Sequence, residues 1–358
     1  MKYNLALVAG MMVVPMVAQA DEVIYGIEGH GQAAYGYSTS KGHHHGIGKV
    51  STESFVGYEL YENNSITLHA DLMLGIDKEL KDYNQGDWGE EVYVVADTIY
   101  GQLMVGQVYN VASLFHNGAP ITGILSSNSD VANFLHNPNW KRNEKETLFA
   151  TLTSTDINTD GVAAKINYIT PEFYGTALGF SWTPDSYNRR GLENKHAGYA
   201  HKDGFATAIY SDHRIGNINS KTSLGYAQYH GNDKEFSISQ SLNRGNWTIG
   251  AGARKTYIDG DDKSNPDRIL PFDFDGYREG YAINVGEGYE IGPFSSALSY
   301  FKSKQKGKDN QNDVVVWSNE YQVNKYVDVY LAVAGINYRF NDEKDKGMAG
   351  VIGMGVNF

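Results

Sequence analysis

Long stretches of this chain alternate apolar and polar residues with a period of two, and this alternation restricts the possible folds more than any other feature. In NSITLHADLMLGI, which spans residues 64–76, Thr67, His69 and Asp71 alternate with aliphatic residues. A similar run spans residues 247–254. Such a period indicates half-buried β-strands. The predicted strands are about 9–15 residues long, the length that a tilted strand needs to cross the hydrocarbon core of a membrane.

The N-terminus has the layout of a secretory signal peptide. MKYNLALVAGMMVVPMVAQA contains one Lys, an apolar stretch from Leu5 to Val17, and Ala18 and Ala20 in A-x-A spacing. We therefore predict that residues 1–20 are removed and that residues 21–358 form a single domain. Because Lys2 is the only charged residue lost, the mature chain carries 29 basic and 42 acidic residues, a net charge of −13.

Composition then narrows the class of protein. The chain has no Cys, 40 Gly and 26 Tyr, which suits many strands and turns without disulfide bridges. The acidic balance argues against nucleic acid as a partner. In lipid, only helices and closed barrels leave no backbone group unpaired, and no stretch after residue 20 is long and apolar enough for a transmembrane helix. We predict an all-β fold, a transmembrane antiparallel β-barrel in an outer membrane.

The connections and the strand count support this fold. Tight turns such as TIYG and EIGP alternate with long polar segments such as DKELKDYNQGDWG, and Tyr and Trp recur at strand ends. Seventeen candidate strands can be counted, including one at residues 195–202. Termini on the same side of the membrane require an even number, so we predict sixteen strands, with eighteen as the alternative.

Several stretches resemble the general porins of Gram-negative outer membranes. These are EEVYVVADTIYGQLMVGQVYN, NYITPEFYGTALGFSW and AGYAHKDGFATAIY, together with AGINYRF and the terminal GMGVNF. The resemblance implies a homotrimer of sixteen-stranded, water-filled barrels, each narrowed by a long third external loop folded into the lumen. It also implies that the terminal aromatic residue, Phe358, is read by the outer-membrane assembly machinery.

Residues 110–159 are the candidate for this constriction loop. A structureless segment of this length is unusual and usually functional. It is too apolar to extend into water, so we expect it to pack against the inner wall of the barrel.

Charged residues of the predicted lumen bear on ion preference. Members of the family carry arginines on the inner wall, yet the two nearest positions here hold Glu53 (or Phe55) and Gln107. The pore-lining and constriction residues that we predict are Glu53, Asp71, Gln107, Asp130, Glu144, Glu146, Lys165, Arg254, Arg278 and Arg339. From the net charge and the missing arginines we expect a preference for cations.

Competing functions have weaker support. No local arrangement of Ser, His and Asp suggests an enzyme. The loop GHHHG (His43–His45) and the acidic stretch at 259–267 are interpreted as exposed polar loops, so no metal or cofactor is predicted. We expect a passive channel for small hydrophilic solutes and ions, in contact with the lipid bilayer and lipopolysaccharide. The alternatives are a substrate-specific channel for sugars or peptides and a structural barrel with a plugged lumen.

Overall fold

Strand pairing closes on itself in the computed structural model, which describes residues 22–39, 44–61, 64–77, 91–123, 151–186, 203–229, 233–257, 279–340 and 343–357. These residues contain sixteen strands and a single helical turn, α1 (Val111–Leu114). The strands are β1 (Glu22–Ser38), β2 (His44–Tyr61), β3 (Asn64–Asp77), β4 (Glu91–Thr98), β5 (Gly101–Gln107), β6 (Ala164–Ile169), β7 (Thr176–Thr183), β8 (Gly204–Ile215), β9 (Ile218–Tyr229), β10 (Asp233–Arg244), β11 (Trp247–Tyr257), β12 (Gly280–Ile291), β13 (Phe294–Gln305), β14 (Gln311–Asn324), β15 (Val327–Phe340) and β16 (Glu343–Asn357). Within the described ranges, no helix is long and apolar enough to cross a membrane.

Each strand pairs antiparallel with its neighbours in sequence, and β1 pairs with β16. The result is a closed barrel without sheet edges, which confirms the predicted fold and the count of sixteen. The additional candidate strand, residues 195–202, lies outside the described residues, as does the predicted signal peptide.

The alternation in sequence becomes an alternation between the outside and the lumen. On β10, Phe236 and Ile238 are exposed on the outer face, while Glu235, Ser237 and Ser239 are buried on the inner face. This arrangement, apolar outside and polar inside, is the pattern of a membrane barrel.

The connections at one end of the barrel are all tight, whereas all the long connections are at the other end, together with the short ones between β9 and β10 and between β15 and β16. Gly216 and Gly245 occupy the first position of two-residue turns, with φ of 64° and 59°, a conformation that favours glycine. β1 begins and β16 ends at the tight-turn end, which in such barrels faces the periplasm.

Candidate functional site: the lumen and its constriction

The chain between β5 and β6 enters the lumen through a capped helical turn. The side chain of Asn110 accepts hydrogen bonds from the backbone amides of Ala112 (2.9 Å) and Ser113 (3.1 Å), which caps α1. Its amide group donates to the carbonyl of Ile157 (2.8 Å) and to Asp160 Oδ1 (2.7 Å). Asn110 thus joins the outgoing leg of the loop, residues 110–123, to the returning leg, residues 151–160.

The outgoing leg crosses the inner wall in regular steps. Backbone amides donate to wall side chains, from Val111 to Ser181 Oγ on β7 (2.9 Å) and from Asn117 to Ser239 Oγ on β10 (2.8 Å). Further along, the amide of Ala119 donates to Asn284 Oδ1 on β12 (3.2 Å). The amide of Gly123 reaches Glu320 Oε2 on β14 (3.0 Å). Side chains of the wall therefore satisfy backbone groups that would otherwise be buried without partners.

Glycines on β11 and β12 make room for this leg. A Cβ atom at Gly250 would lie 2.2 Å from the carbonyl oxygen of Gly118, and one at Gly288 would lie 3.2 Å from Pro120. The glycine-rich alternation of these strands thus has a packing reason, because it forms a shallow groove in which the loop backbone lies.

The returning leg is fixed by two buried ion pairs. Lys165 Nζ on β6 lies 3.4 Å from Asp160 Oδ2, and both side chains have no exposed surface. Lys165 also donates to the carbonyl of Gly161 at 2.7 Å, and Thr183 Oγ1 donates to the same Asp160 oxygen at 2.8 Å. These bonds give the buried charges the compensation that a pair removed from water requires.

The second pair joins two strands to the loop. Arg254 on β11 lies 2.7 Å from Glu235 on β10, with each side chain about 1% exposed. The guanidinium also donates to Asn158 Oδ1 (3.0 Å) and Thr159 Oγ1 (2.7 Å), and Thr159 in turn donates to Glu235. We call Arg254, Glu235 and these loop acceptors the Arg254 clasp.

His116 lies between the two legs. Its Nε2 is 2.9 Å from Thr155 Oγ1, and its Nδ1 is buried without a hydrogen-bond partner. Burial lowers the pKa of His116 below 6.5; nearby Asp156 opposes this shift and Arg254 adds to it. The imidazole is therefore a neutral packing element at neutral pH.

The inner faces of β13–β16 include an apolar cluster. Phe301, Val314, Val316 and Ala332 are buried there in a cluster that includes Leu152 of the returning leg. Together with the wall contacts described above, this cluster shows that the loop lies along the sector from β7 to β15.

The wall of β1–β4 has a different character. Phe55, His69 and Tyr93 stack across β2, β3 and β4, with ring centroids 5.8 and 5.1 Å apart. A Cβ atom at Gly26 would lie 2.4 Å from the Phe55 ring, so that ring lies over the backbone of β1. This stack thickens the wall towards the lumen.

Beside the aromatic stack, the strand register aligns four acidic positions, which we call the acidic row. Glu28 pairs with Glu53, Glu53 with Asp71, and Asp71 with Glu91. Directly paired residues lie on the same face of a sheet. On β4, Val92 is exposed on the outer face, so the residues on either side of it, Glu91 and Tyr93, belong to the inward set. By register, the row therefore occupies positions of the inward set.

Comparison with known families decides the identity of this barrel. Residues 6–341 match the family model described as Gram-negative porin. The chain belongs to this family. It is an outer-membrane porin that forms a channel, and fold and family both indicate a channel rather than an enzyme.

Solved porin structures share the fold at low sequence identity. The anion-selective porin from Comamonas acidovorans is 13% identical, with 94% of this chain and 100% of that chain covered and a TM-score of 0.58. OmpT of Vibrio cholerae, in its trimer form, is 12% identical, with 94% and 99% covered and a TM-score of 0.59. Salmonella typhi OmpF in complex with daunomycin is 12% identical, with 93% and 97% covered and a TM-score of 0.60. A search of curated proteins finds no match.

Two predicted pore-lining residues of the porin lie on the outer face instead. Arg339 has the parity of exposed Leu331 on β15, and its Nη1 lies 3.7 Å from Asp309 near the extracellular rim. Gln107 lies in one row with Val92 and Ala164, both exposed on the outside. The inward placement of Arg339 and Gln107 is therefore corrected.

The remaining predicted residues divide into three groups. Lys165 and Arg254 face inward, but they are buried beneath the loop and hold it. Glu53 and Asp71 lie in the acidic row. The predicted residues outside the described ranges are Asp130, Glu144, Glu146, Arg278 and Phe358.

Sequence reasoning missed the counter-charges Asp160 and Glu235 and the amide of Asn284. Asn284 Nδ2 donates to Thr155 Oγ1 at 2.9 Å, and its Oδ1 holds the outgoing leg. The available signal was a polar residue in the inward set of each strand, but alternation alone does not reveal which inward groups contact the loop.

Proposed function

We propose that this porin is a passive diffusion channel for small hydrophilic solutes that prefers cations. The observation that carries this proposal is the acidic row Glu28–Glu53–Asp71–Glu91 on the wall that faces the loop-covered sector. Adjacent strands lie about 4.8 Å apart, so the row extends over roughly 14 Å of the wall. Like charges directly opposite each other destabilise a sheet, which favours a functional reason for this arrangement.

Two basic residues of the inner wall contribute little charge against this field. Lys165 and Arg254 are each neutralised by a buried carboxylate at 3.4 Å and 2.7 Å. At 0.1 M salt the Debye length is about 10 Å, so an acidic row on the wall still acts across part of a narrow passage. The cation preference should therefore weaken as the salt concentration rises.

The test is the reversal potential of single channels across a tenfold KCl gradient. We expect a cation-selective sign that shrinks in E53Q/D71Q. The control E287Q removes one exposed carboxylate with the outward parity of Val285 on β12, and its potential should equal that of the wild type. An anion-selective sign for the wild type would refute the proposal, as would equal shifts in both variants.

One observation favours the substrate-specific alternative, namely the aromatic stack of Phe55, His69 and Tyr93. The direction of the stack argues against this alternative, because the stack crosses strands and a sugar path would need aromatic residues along the passage. Current block by millimolar maltose or by a short peptide would favour this alternative; an unaffected current supports passive diffusion.

We also propose that the porin functions as a homotrimer embedded in lipid and lipopolysaccharide and inserted by the assembly machinery through its C-terminal strand. The exposed apolar outer face, with Trp317, Leu331 and Ile352, supports contact with lipid. The solved OmpT is described as a trimer, which supports the same state here. Mass measurement of the detergent-extracted protein tests the trimer.

A further inference from the structure

A group of five basic residues lies on the outer face of the barrel near its extracellular end. We call it the β13–β16 basic patch, and its members are Lys302, Lys304, Arg339, Lys344 and Lys346. Lys344 and Lys346 are exposed and share the parity of exposed Met348 on β16. The intervening positions of β16 hold Glu343 and Asp345.

Register places the patch in two successive rows. The upper row runs from Lys304 through Gln311 and Arg339 to Lys344. The lower row runs from Lys302 through Asp313 and Asn337 to Lys346.

The next row towards the periplasm is apolar. Tyr300 pairs with Val315, and Gly335 pairs with Met348. Val315 is 46% exposed and Met348 is 57% exposed on the outer face. The patch therefore begins where the apolar band ends, at the depth of lipid headgroups.

Asp313 is the only acidic residue in these two rows, and both of its carboxylate oxygens already accept hydrogen bonds. Asp313 Oδ1 accepts a hydrogen bond from the Tyr300 hydroxyl at 2.9 Å, and Oδ2 accepts one from Gln311. Lys302 Nζ lies 3.8 Å from the same carboxylate. One carboxylate thus balances at most one of the five basic residues.

The other basic residues of the patch have few acidic partners. Arg339 reaches only Asp309, at 3.7 Å, and its buried Nε has no hydrogen-bond acceptor. Arg339 and Lys344 are directly opposed across β15 and β16, an arrangement that destabilises a sheet. In the described part of the chain, Lys304, Lys344 and Lys346 have no carboxylate within ion-pair distance.

We propose that the β13–β16 basic patch binds the phosphate groups of a lipid in the outer leaflet. Arginine offers a planar pair of donors to phosphate, and lysines supply mobile positive charges beside it. An anionic headgroup would relieve the repulsion between Arg339 and Lys344, while its acyl chains would lie against the apolar rows below. The inference rests on the outer-membrane location and not on the proposed cation preference, so the two can fail separately.

The experiment measures binding of lipid A by native mass spectrometry, with the full-length protein folded in detergent. The probes are bisphosphorylated lipid A and the same lipid without phosphates. The test variant is R339Q/K344Q, and the control is K234Q/K255Q, which removes two outward lysines from β10 and β11. Each basic residue near an anionic lipid surface contributes about fivefold in affinity, so we expect R339Q/K344Q to bind more than tenfold more weakly.

Binding of the control variant and of R339K/K344R, which keeps both charges, should remain close to that of the wild type. Equal affinity of R339Q/K344Q and the wild type would overturn the proposal. So would equal binding of the lipid without phosphates, or displacement of lipid A by millimolar inorganic phosphate, since the site would then not be specific for a lipid phosphate. If R339Q/K344Q does not fold, the single variants K344Q and K346Q decide, with about fivefold loss expected for each.

Discussion

Removal of the Arg254 guanidinium tests how the constriction loop is held in the lumen. In R254L, Glu235 still accepts the hydrogen bond from the Thr159 hydroxyl, but it no longer has a positive charge beside it. The Glu235 side chain is about 1% exposed, so water cannot replace the lost interaction. The loop also loses the donor that reaches Asn158 at 3.0 Å. Deleting one partner of a buried ion pair costs about 3–5 kcal/mol, because the other charge is left without compensation.

The structure offers two controls for this prediction. Lys302 and Asp313 form a longer, partly exposed pair at 3.8 Å, so K302Q should cost less than about 1 kcal/mol. The double variant E235L/R254L leaves no unpaired charge, and we expect it to be more stable than R254L alone.

Urea unfolding in phospholipid vesicles measures the free-energy differences, and open-channel current noise reports the motion of the loop. R254L should show both a loss of stability and greater noise, and K302Q neither. The role assigned to the Arg254 clasp would be refuted if R254L lost less than about 1 kcal/mol and kept the noise of the wild type.

Three further predictions concern the loop and the end of the chain. In G250V a side chain would collide with the carbonyl of Gly118, so single-channel conductance should change, whereas G335A, which has no atom within 4 Å of its added Cβ, should match the wild type. The lowered pKa of His116 means that the loop is fully stabilised above pH 6.5 and loses stability as the pH falls through the interval between 6.5 and the lower folded-state pKa. Channel noise should therefore rise on acidification from pH 8 to pH 5 and stay level in H116Q; the same rise in H116Q would exclude this histidine. Deletion of Phe358 should lower the fraction of heat-modifiable, folded protein in cells, and normal assembly of the shortened chain would contradict its role.

The barrel itself could be predicted because its physical cause acts on every strand. Phe236 and Ile238 must face lipid and Ser237 must not, and this requirement leaves a period of two in the sequence. Closure of an antiparallel barrel requires an even strand number, and the predicted strand length favours a membrane barrel over a soluble sheet. These features gave the fold without any knowledge of tertiary contacts.

The orientation of Arg339 could not be predicted, because β15 is apolar on both faces. Val329 and Leu331 are exposed on the outer face. Ala334 and Ile336 are buried on the inner face, in the cluster that includes Leu152. Because the odd-numbered and the even-numbered residues of such a strand are equally apolar, the sequence does not show which set faces inward. Only the strand pairing places Arg339 opposite Gln311, outside the lumen.

The ion pairs of the loop were hidden for a different reason. Arg254 and Lys165 were recognised as inward-facing, but their roles depend on which carboxylates lie beside them. Glu235 is 19 residues from Arg254, and the acceptors of the loop are about 100 residues away. No local sequence pattern encodes the contacts of Arg254. Lys165 is near Asp160 in sequence, but alternation alone does not show that this pair is buried beneath the loop.

The seam between β1 and β16 has a consequence for the order in which the barrel forms. All other pairings join strands that are consecutive in sequence, whereas this seam joins the first strand to the last and places His30 opposite Asn357. Chain-closure entropy grows with the logarithm of the separation, so joining these ends costs about 3 kcal/mol more than closing a ten-residue hairpin. The first strand therefore keeps one row of amides and carbonyls unpaired until the last strand closes the barrel. A ribosome-stalled or prematurely terminated chain can form hairpins, but it keeps two open edges, and such edges are the part of a β-protein that templates aggregation.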